Sequence, residues 1–304
     1  IYEPPLQYHY LLRPYTLTTQ AADKMPEILY LDKNNKEVNE NDKTLAYTVY
    51  TIAIKPDIRY QPHPAFAKTK AGAYRYLNLP KDYLDTHDIE VLSDFKYTGT
   101  RFLTAYDYAY QIKRLASPAL NSPILGLMSQ HIVGLATFAK TLKESNKTNA
   151  LLDLRQYDFE GVKVLDKTHY QIKIKGKYPQ FTYWLAMPFF GPMPWEAEQF
   201  YAQPYMEDKN ITLEWYPVGT GPYMLTENNP NRRMVLEKNP NYHQMRYPSQ
   251  GMPGDKEKGL LRFSGKKLPF INKVLFSLEK ESIPRWNKFL QGYYDTSGIS
   301  ADSF

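Results

Sequence analysis

Few side chains in this sequence have the types and spacing that chemistry requires. There is no cysteine, so a thiolate nucleophile, a thiolate metal site and a disulfide framework are all excluded. The six histidines stand apart from one another. His63, between Pro62 and Pro64, has the setting of a metal ligand, but a lone solvent-facing imidazole is the simpler reading. Ser264-Gly265-Lys266-Lys267 matches a serine-lysine nucleophile pattern inside a lysine-rich loop, where four residues match by chance. Asp57, Asp107 and Asp158 could pair as acid and base only through the fold. Taken singly they read as a turn residue, a helix cap and a strand-start residue. No nucleophile elbow, zinc-binding helix, phosphate loop, dinucleotide turn or calcium loop is present. No catalytic residue, metal ligand or cofactor site is assigned.

Aromatic side chains are the better candidates for function. Tyrosine occurs 27 times and proline 23 times among 304 residues, which points to many short strands and turns with rings available in clefts. Tyr183, Trp184, Phe189 and Phe190 crowd around Pro188 to Pro194, whose three prolines and glycine predict an irregular loop lining a crevice. Tyr183 and Trp184 read more readily as core, because their run is apolar and helix-like. Net charge is +6, with an isoelectric point near 9.0. The basic residues are scattered among acids, as in Lys256-Glu257-Lys258, which argues against a nucleic-acid groove.

The elements that would position these residues are short. Glu27 to Leu31 and Leu45 to Ile54 read as strands, separated by a charged loop from Asp32 to Lys43. Residues 65 to 100 read as an irregular excursion with one short helix. Thr104 and Asp107 form a capping box ahead of a helix that ends near Leu115, and a second helix is expected from Ile124 to Leu142. Tyr157 to Leu165 and His169 to Ile174 form a hairpin, and Tyr178 to Met187 a helix. After a short helix from Glu196, the stretch from Pro217 to His243 holds a second hairpin. Gly219, Gly221 and Pro222 lie before it, its turn falls at Glu227 to Arg232, and Asn239-Pro240 ends it. Ile271 to Leu278 is a strand, and Ser282 to Gln291 a helix stopped by Gly292. No run reaches the roughly 18 apolar residues that a membrane span needs. Ile1 and Phe304 read as internal positions of a longer protein.

Gly219-Thr220-Gly221-Pro222-Tyr223, followed by Val235-Leu236-Glu237-Lys238-Asn239-Pro240-Asn241-Tyr242, resembles the GTGPY and LERNPxY signature of the extracellular solute-binding proteins of family 5. Four further segments fall in the family's order. They are Leu103 to Asp107 with Lys113 to Ala116, Gly161 to Asp166, Tyr178 to Pro194, and Ile271 to Val274 with Leu290 to Gly292 and Asp295. The match is loose over Tyr47 to Pro64, and the insertion from Ala65 to Phe102 is longer than in common peptide binders.

The resemblance implies an α/β, periplasmic-binding-protein type II-like two-lobed fold. Residues 1–270 would be the first lobe, with a β-rich subdomain inserted at about 42–193, and 271–304 the crossover strand and start of a second lobe that is largely missing. It implies a monomeric periplasmic component of an ABC transporter that binds an oligopeptide or peptide-like ligand and hands it to an inner-membrane permease. It implies no enzyme, no cofactor and no metal. The lobe-one cleft residues expected on this basis are Tyr8, Tyr10, Phe189, Phe190 and Thr220. Two other readings remain open on the residues alone: a carbohydrate-active enzyme using a carboxylate pair, and a single-stranded nucleic-acid binder with a basic groove.

Overall fold

The aromatic N-terminal segment folds into two three-residue strands, β1 (Leu6–Tyr8) and β2 (Leu17–Thr19), paired antiparallel with Tyr8 opposite Leu17. The computed structural model describes residues 1–146 and 151–299. Strands β3 (Glu27–Asp32) and β4 (Leu45–Ala53) follow as expected, with the charged segment as their connection. β4 is central because both its faces carry apolar residues, and a strand buried on both sides needs a partner along each edge. Its second partner comes from far along the chain.

The excursion from residue 65 to 100 has little regular structure, yet it is packed. Around α1 (Tyr83–Thr86) it buries Tyr76, Leu77, Leu84, Ile89 and Phe95. Arg101 fastens its end to the rest of the molecule. The guanidinium reaches Asp107 at 2.7 Å and Glu196 at 2.7 Å, and both carboxylates are almost fully buried. Asp107 also closes the expected capping box on α2 (Ala105–Arg114), accepting from the Thr104 backbone at 2.9 Å.

The single helix expected from 124 to 142 is two helices, α3 (Leu125–His131) and α4 (Leu135–Ser145). The break has a local cause. Ile132 forms an isolated bridge to Ile174, and Val133 N–H donates to the Lys173 carbonyl at 3.0 Å, so a sheet edge claims this backbone. Gly134 then restarts the helix at φ +75°, a conformation that glycine adopts without penalty.

Strands β5 (Val162–Val164) and β6 (His169–Lys175) complete a sheet in the order β3-β4-β6-β5. Its buried face aligns Tyr50 with Ile172 and Ile52 with Tyr170. Tyr170 stacks on Tyr108 of α2, centroids 5.4 Å apart, and thereby seats the helix on the sheet.

The helix expected over 178 to 187 shortens to one turn, α5 (Phe181–Trp184). Leu185 gives its carbonyl to Leu6 N–H of β1 at 3.1 Å, and Pro188 follows, so the helix has no partner for further turns. Pro188–Phe190, expected to be irregular, forms one 3₁₀ turn with proline at its start. Helix α6 is Trp195–Tyr201. The second hairpin is β7 (Tyr223–Asn229) and β8 (Arg233–Lys238), its turn tighter than expected because Asn228 and Asn229 still pair with Met234 and Arg233. β9 (Lys273–Ser277) pairs antiparallel with β8, and α7 (Ser282–Leu290) ends before Gly292 at φ +80°.

Candidate functional site

The candidate site lies where β1 meets the loop before β2. Tyr8 leaves β1 with its ring stacked on Tyr183 of α5, centroids 6.2 Å apart, and edge-on to Tyr15 at 5.8 Å. Leu6 at the start of β1 is bonded to Leu185 just past α5, which holds Tyr8 and Tyr183 together. Tyr10, Tyr15 and Tyr183 are 49%, 73% and 42% exposed, values high enough to offer ring faces to a ligand. Tyr8, His9, Tyr10, Arg13 and Tyr15 line a shallow hollow of about 440 Å³.

A second hollow of about 260 Å³ adjoins it through His9 and Tyr10, its far wall formed by Met245, Arg246 and Pro248 to Gln250. That wall is brought in from β8 by buried contacts. His243 Nε2 lies 2.8 Å from Glu3 Oε1, a pair shielded from solvent at both ends. Tyr108 donates its hydroxyl to the Glu3 carbonyl at 3.0 Å, tying the same point to α2. Beyond His243 the chain turns at Gln244, with φ +60°, and Tyr247 comes to 6.3 Å from Tyr10. Burial, then Glu3 and Tyr247, raise the Tyr10 phenol above its ordinary pKa, so it stays neutral and acts as donor or acceptor.

The expected cleft residues divide. Tyr8 and Tyr10 line the hollow at β1. Phe189 is half-buried against Trp184, ring centroids 5.9 Å apart. Phe190 is 1% exposed and packs on Phe181 and Phe189, so the proline corner turns it into the core and leaves it no face for a ligand. Thr220 is 0% exposed. Its two glycine neighbours are consumed by the passage of the first residue of the chain: the Ile1 carbonyl oxygen accepts from Gly221 N–H at 2.7 Å. Asn239 completes this knot by donating its side-chain amide to the Gly221 carbonyl at 3.0 Å. The glycine motif is therefore a structural knot, and it presents nothing to solvent at Thr220.

Sequence reasoning placed Tyr183 in the core and did not single out His9, Arg13, Tyr15 or Arg246. The signal that could have found Tyr15 was present, since Tyr8, Tyr10 and Tyr15 share one short segment. Arg246 and Tyr247 had no such signal, because they reach this place from far along the chain, through contacts such as Glu3 with His243 and Tyr10 with Tyr247. His63, expected to face solvent, is 1% exposed. Its Nε2 lies 2.8 Å from the Tyr201 hydroxyl, and its Nδ1 accepts from Ala65 N–H at 3.1 Å.

A larger hollow of about 720 Å³ lies between α2 and β5 and contains Asp107, Asp158 and Glu160. These three residues line it, but each carboxylate already has a cation. Asp107 binds Arg101, Asp158 binds Lys113, and Glu160 binds Lys173. Asp158 is itself on the outer surface, its side chain 91% exposed. Among the described residues no helix is long and apolar enough to cross a membrane.

Comparison with known proteins places this geometry in context. The family model described as bacterial extracellular solute-binding proteins, family 5 Middle, matches residues 94–304. The periplasmic oligopeptide-binding protein OppA of Salmonella typhimurium is 29% identical over 141 residues, which are 46% of this chain and 23% of that protein. OppA of Escherichia coli is 27% identical over 150 residues, covering 49% and 24%. Among solved structures, Listeria monocytogenes OppA bound to peptide superposes with a TM-score of 0.57 at 14% identity, over 99% of this chain and 41% of that one. The pheromone receptor PrgZ superposes with a TM-score of 0.58 at 16% identity, over 100% and 42%. The matched region thus spans about a quarter of the curated relatives and about two fifths of the solved chains. The α/β fold is that of the OppA-type binding proteins, as the motifs implied. With the family model covering residues 94–304, the chain belongs to the bacterial extracellular solute-binding proteins of family 5.

Proposed function

We propose that this chain supplies one wall of the ligand cleft in the periplasmic solute-binding component of an ABC importer that captures peptides or peptide-like solutes. The observation that carries the reading is the aromatic face beside the β1–β2 ribbon, made of the exposed Tyr10, Tyr15 and Tyr183 with the half-buried Tyr8 stacked among them. A two-stranded ribbon leaves one edge of each strand without a strand partner, which an extended peptide backbone can use. Stacked tyrosines give apolar contact with little loss of side-chain freedom. The resemblance to proteins named as oligopeptide-binding adds support from a separate direction. No residue is given a catalytic role, and the partner after capture is an inner-membrane permease.

On this reading residues 1–270 form the first lobe, with an inserted subdomain at about 42–193, and 271–304 begin the second, so that capture proceeds by closure of one lobe on the other. The pairing of β9 with β8 suits a crossover strand leaving the first lobe. The four-stranded sheet also takes in β3, so the insertion and the first lobe share a sheet from Glu27 onward.

The test is native mass spectrometry of the protein isolated from its host, followed by calorimetric titration with the peptides released from it. Tyr8→Ala and Tyr10→Ala are each expected to weaken binding about tenfold, the order of one buried aromatic contact. A protein that carries no peptide and binds none would overturn the reading.

A further inference from the structure

We infer that the hollow between α2 and β5 is a second binding site, for an uncharged small molecule that carries a planar ring and an amide group. The hollow shares no lining residue with those at β1, and the inference does not depend on the capture reading.

At about 720 Å³ it is larger than either hollow at β1 and falls in the size range of small-molecule sites. Its ring walls are held from behind. Tyr110 gives its hydroxyl to Glu198, Phe159 is stacked on Phe138 with centroids 4.6 Å apart, and Trp195 meets Tyr74 edge-on at 5.5 Å. The Arg155 guanidinium covers Trp195 at 3.7 Å. Tyr106, one turn before Tyr110 on α2, is 58% exposed, and its hydroxyl has no partner among the described residues. A ligand ring therefore meets one free tyrosine among fixed walls, so binding orders little of the protein.

The charges around the hollow are already matched. Asp107 is paired with Arg101, Lys113 with Asp158, Arg155 with Asp153 and Glu160 with Lys173. Lys163 remains, and its side chain leaves β5 on the opposite face to Val162 and Val164. An ionic ligand would have to separate one of these pairs or set its charge against apolar walls, and an uncharged ligand does neither.

Strand pairing supplies the polar groups. Lys173 N–H donates to the Gly161 carbonyl at 3.0 Å and Leu165 N–H to the His169 carbonyl at 2.9 Å, which puts the bonds to β6 at positions 161, 163 and 165. By alternation Val164 turns its N–H and carbonyl the other way, where β5 is the last strand of its sheet. Val162, Lys163 and Val164 all line the hollow, and since successive residues face opposite sides of a strand, the hollow meets β5 along this edge. A donor and an acceptor on one residue match the carbonyl and N–H of an amide, as they would match those of an added strand.

The experiment is calorimetric titration of the protein as its host makes it, freed of endogenous solute, with N-acetyltryptophanamide as the probe. Its anionic and cationic analogues, N-acetyltryptophan and tryptophanamide, are expected to bind about tenfold more weakly. Tyr106→Ala, at an exposed position, should weaken the probe about fivefold. Val164→Pro removes the outward N–H and keeps the bonds to β6, and should also weaken it about fivefold. Both variants should bind peptide as the parent does, and Tyr8→Ala should bind the probe as the parent does. Equal binding of the probe and its charged analogues, loss of the probe in Tyr8→Ala alone, or no binding of the probe overturns the second site and leaves peptide capture standing. Failure of peptides to bind, with the probe bound in the expected pattern, overturns capture and leaves this site standing.

Discussion

The carbonyl oxygen of Ile1 lies 2.5 Å from where a Cβ on Gly221 would stand, and 2.2 Å from where one on Gly219 would stand. Neither glycine has the positive φ that would by itself demand glycine, so the requirement is steric. The first segment of the chain runs against the knot before β7, and only a residue without a side chain lets it pass. Gly221→Ala is therefore expected to destabilise the fold by about 1–3 kcal/mol, the usual cost of forcing extra volume into a packed site. Urea unfolding measures it. Gly126→Ala in α3 is the control, because open space surrounds that position, and it should be neutral or stabilising by up to about 1 kcal/mol. Equal effects at the two positions would remove the steric argument.

Arg101 joins the excursion, α2 and α6 through two carboxylates that have almost no solvent of their own. Burial pulls the guanidinium pKa down, but Asp107 and Glu196 more than offset this, and the net direction is upward. Tyr74 adds a hydroxyl to Glu196 at 2.8 Å. Removing the cation leaves two buried negative charges facing each other, so Arg101→Met should cost about 3–5 kcal/mol. Arg101→Lys should cost less but remain destabilising, since an ammonium cannot fork across both carboxylates. Equilibrium denaturation of the two variants checks the ordering, and a Met variant as stable as the parent would refute it.

How much could be read in the residues depended on how local each interaction is. The capping box of Thr104 and Asp107, the alternation along β4 and the turn residues between β5 and β6 are encoded within a few positions, and α2, β4 and β6 stand where they were expected, whereas β5 keeps only Val162–Val164 of the strand expected over Tyr157 to Leu165. The break between α3 and α4 was not legible, because its cause is the edge of β6, about forty residues away. Tyrosine posed the same difficulty. Tyr50, Tyr60, Tyr108 and Tyr170 are fully buried while Tyr10 and Tyr15 are exposed, and composition alone carries no sign of which is which. The motif that revealed the family, Gly219 to Tyr223 with Asn239, serves packing. The surface that reads as the ligand site is assembled from Tyr8, Tyr183 and Tyr247, and no short stretch contains all three.

Thr220 separates the packing role of that motif from ligand contact. Its hydroxyl is buried and has no hydrogen-bond partner among the described residues, a condition that costs about 1–3 kcal/mol when the group is fully desolvated. Thr220→Val keeps the shape and removes the hydroxyl. The variant is expected to be as stable as the parent or more stable by about 1 kcal/mol, and to bind peptide unchanged. Thermal unfolding and calorimetric titration read the two outcomes. A loss of binding with stability intact would return Thr220 to the ligand site.

His63 links the fold to pH. Tyr201 donates its hydroxyl to the Tyr216 carbonyl at 2.5 Å, so that oxygen accepts from His63 Nε2, while Nδ1 accepts from Ala65 N–H. The neutral ring satisfies both bonds, whereas a proton on Nδ1 would break the second. Phe66 and Phe200 complete an apolar enclosure, and burial lowers the imidazole pKa from 6.5 to about 3. Because the folded value lies below the unfolded one, the unfolded chain binds more protons between them. Stability from this site is full above about pH 6.5 and falls as pH drops toward 3, with about 2 kcal/mol lost at pH 5 relative to pH 7. His63→Gln removes the titration and should flatten the dependence of unfolding free energy on pH between about 4 and 6 by about 1.4 kcal/mol per unit. Parallel slopes for the parent and the variant would show that another group carries the acid sensitivity.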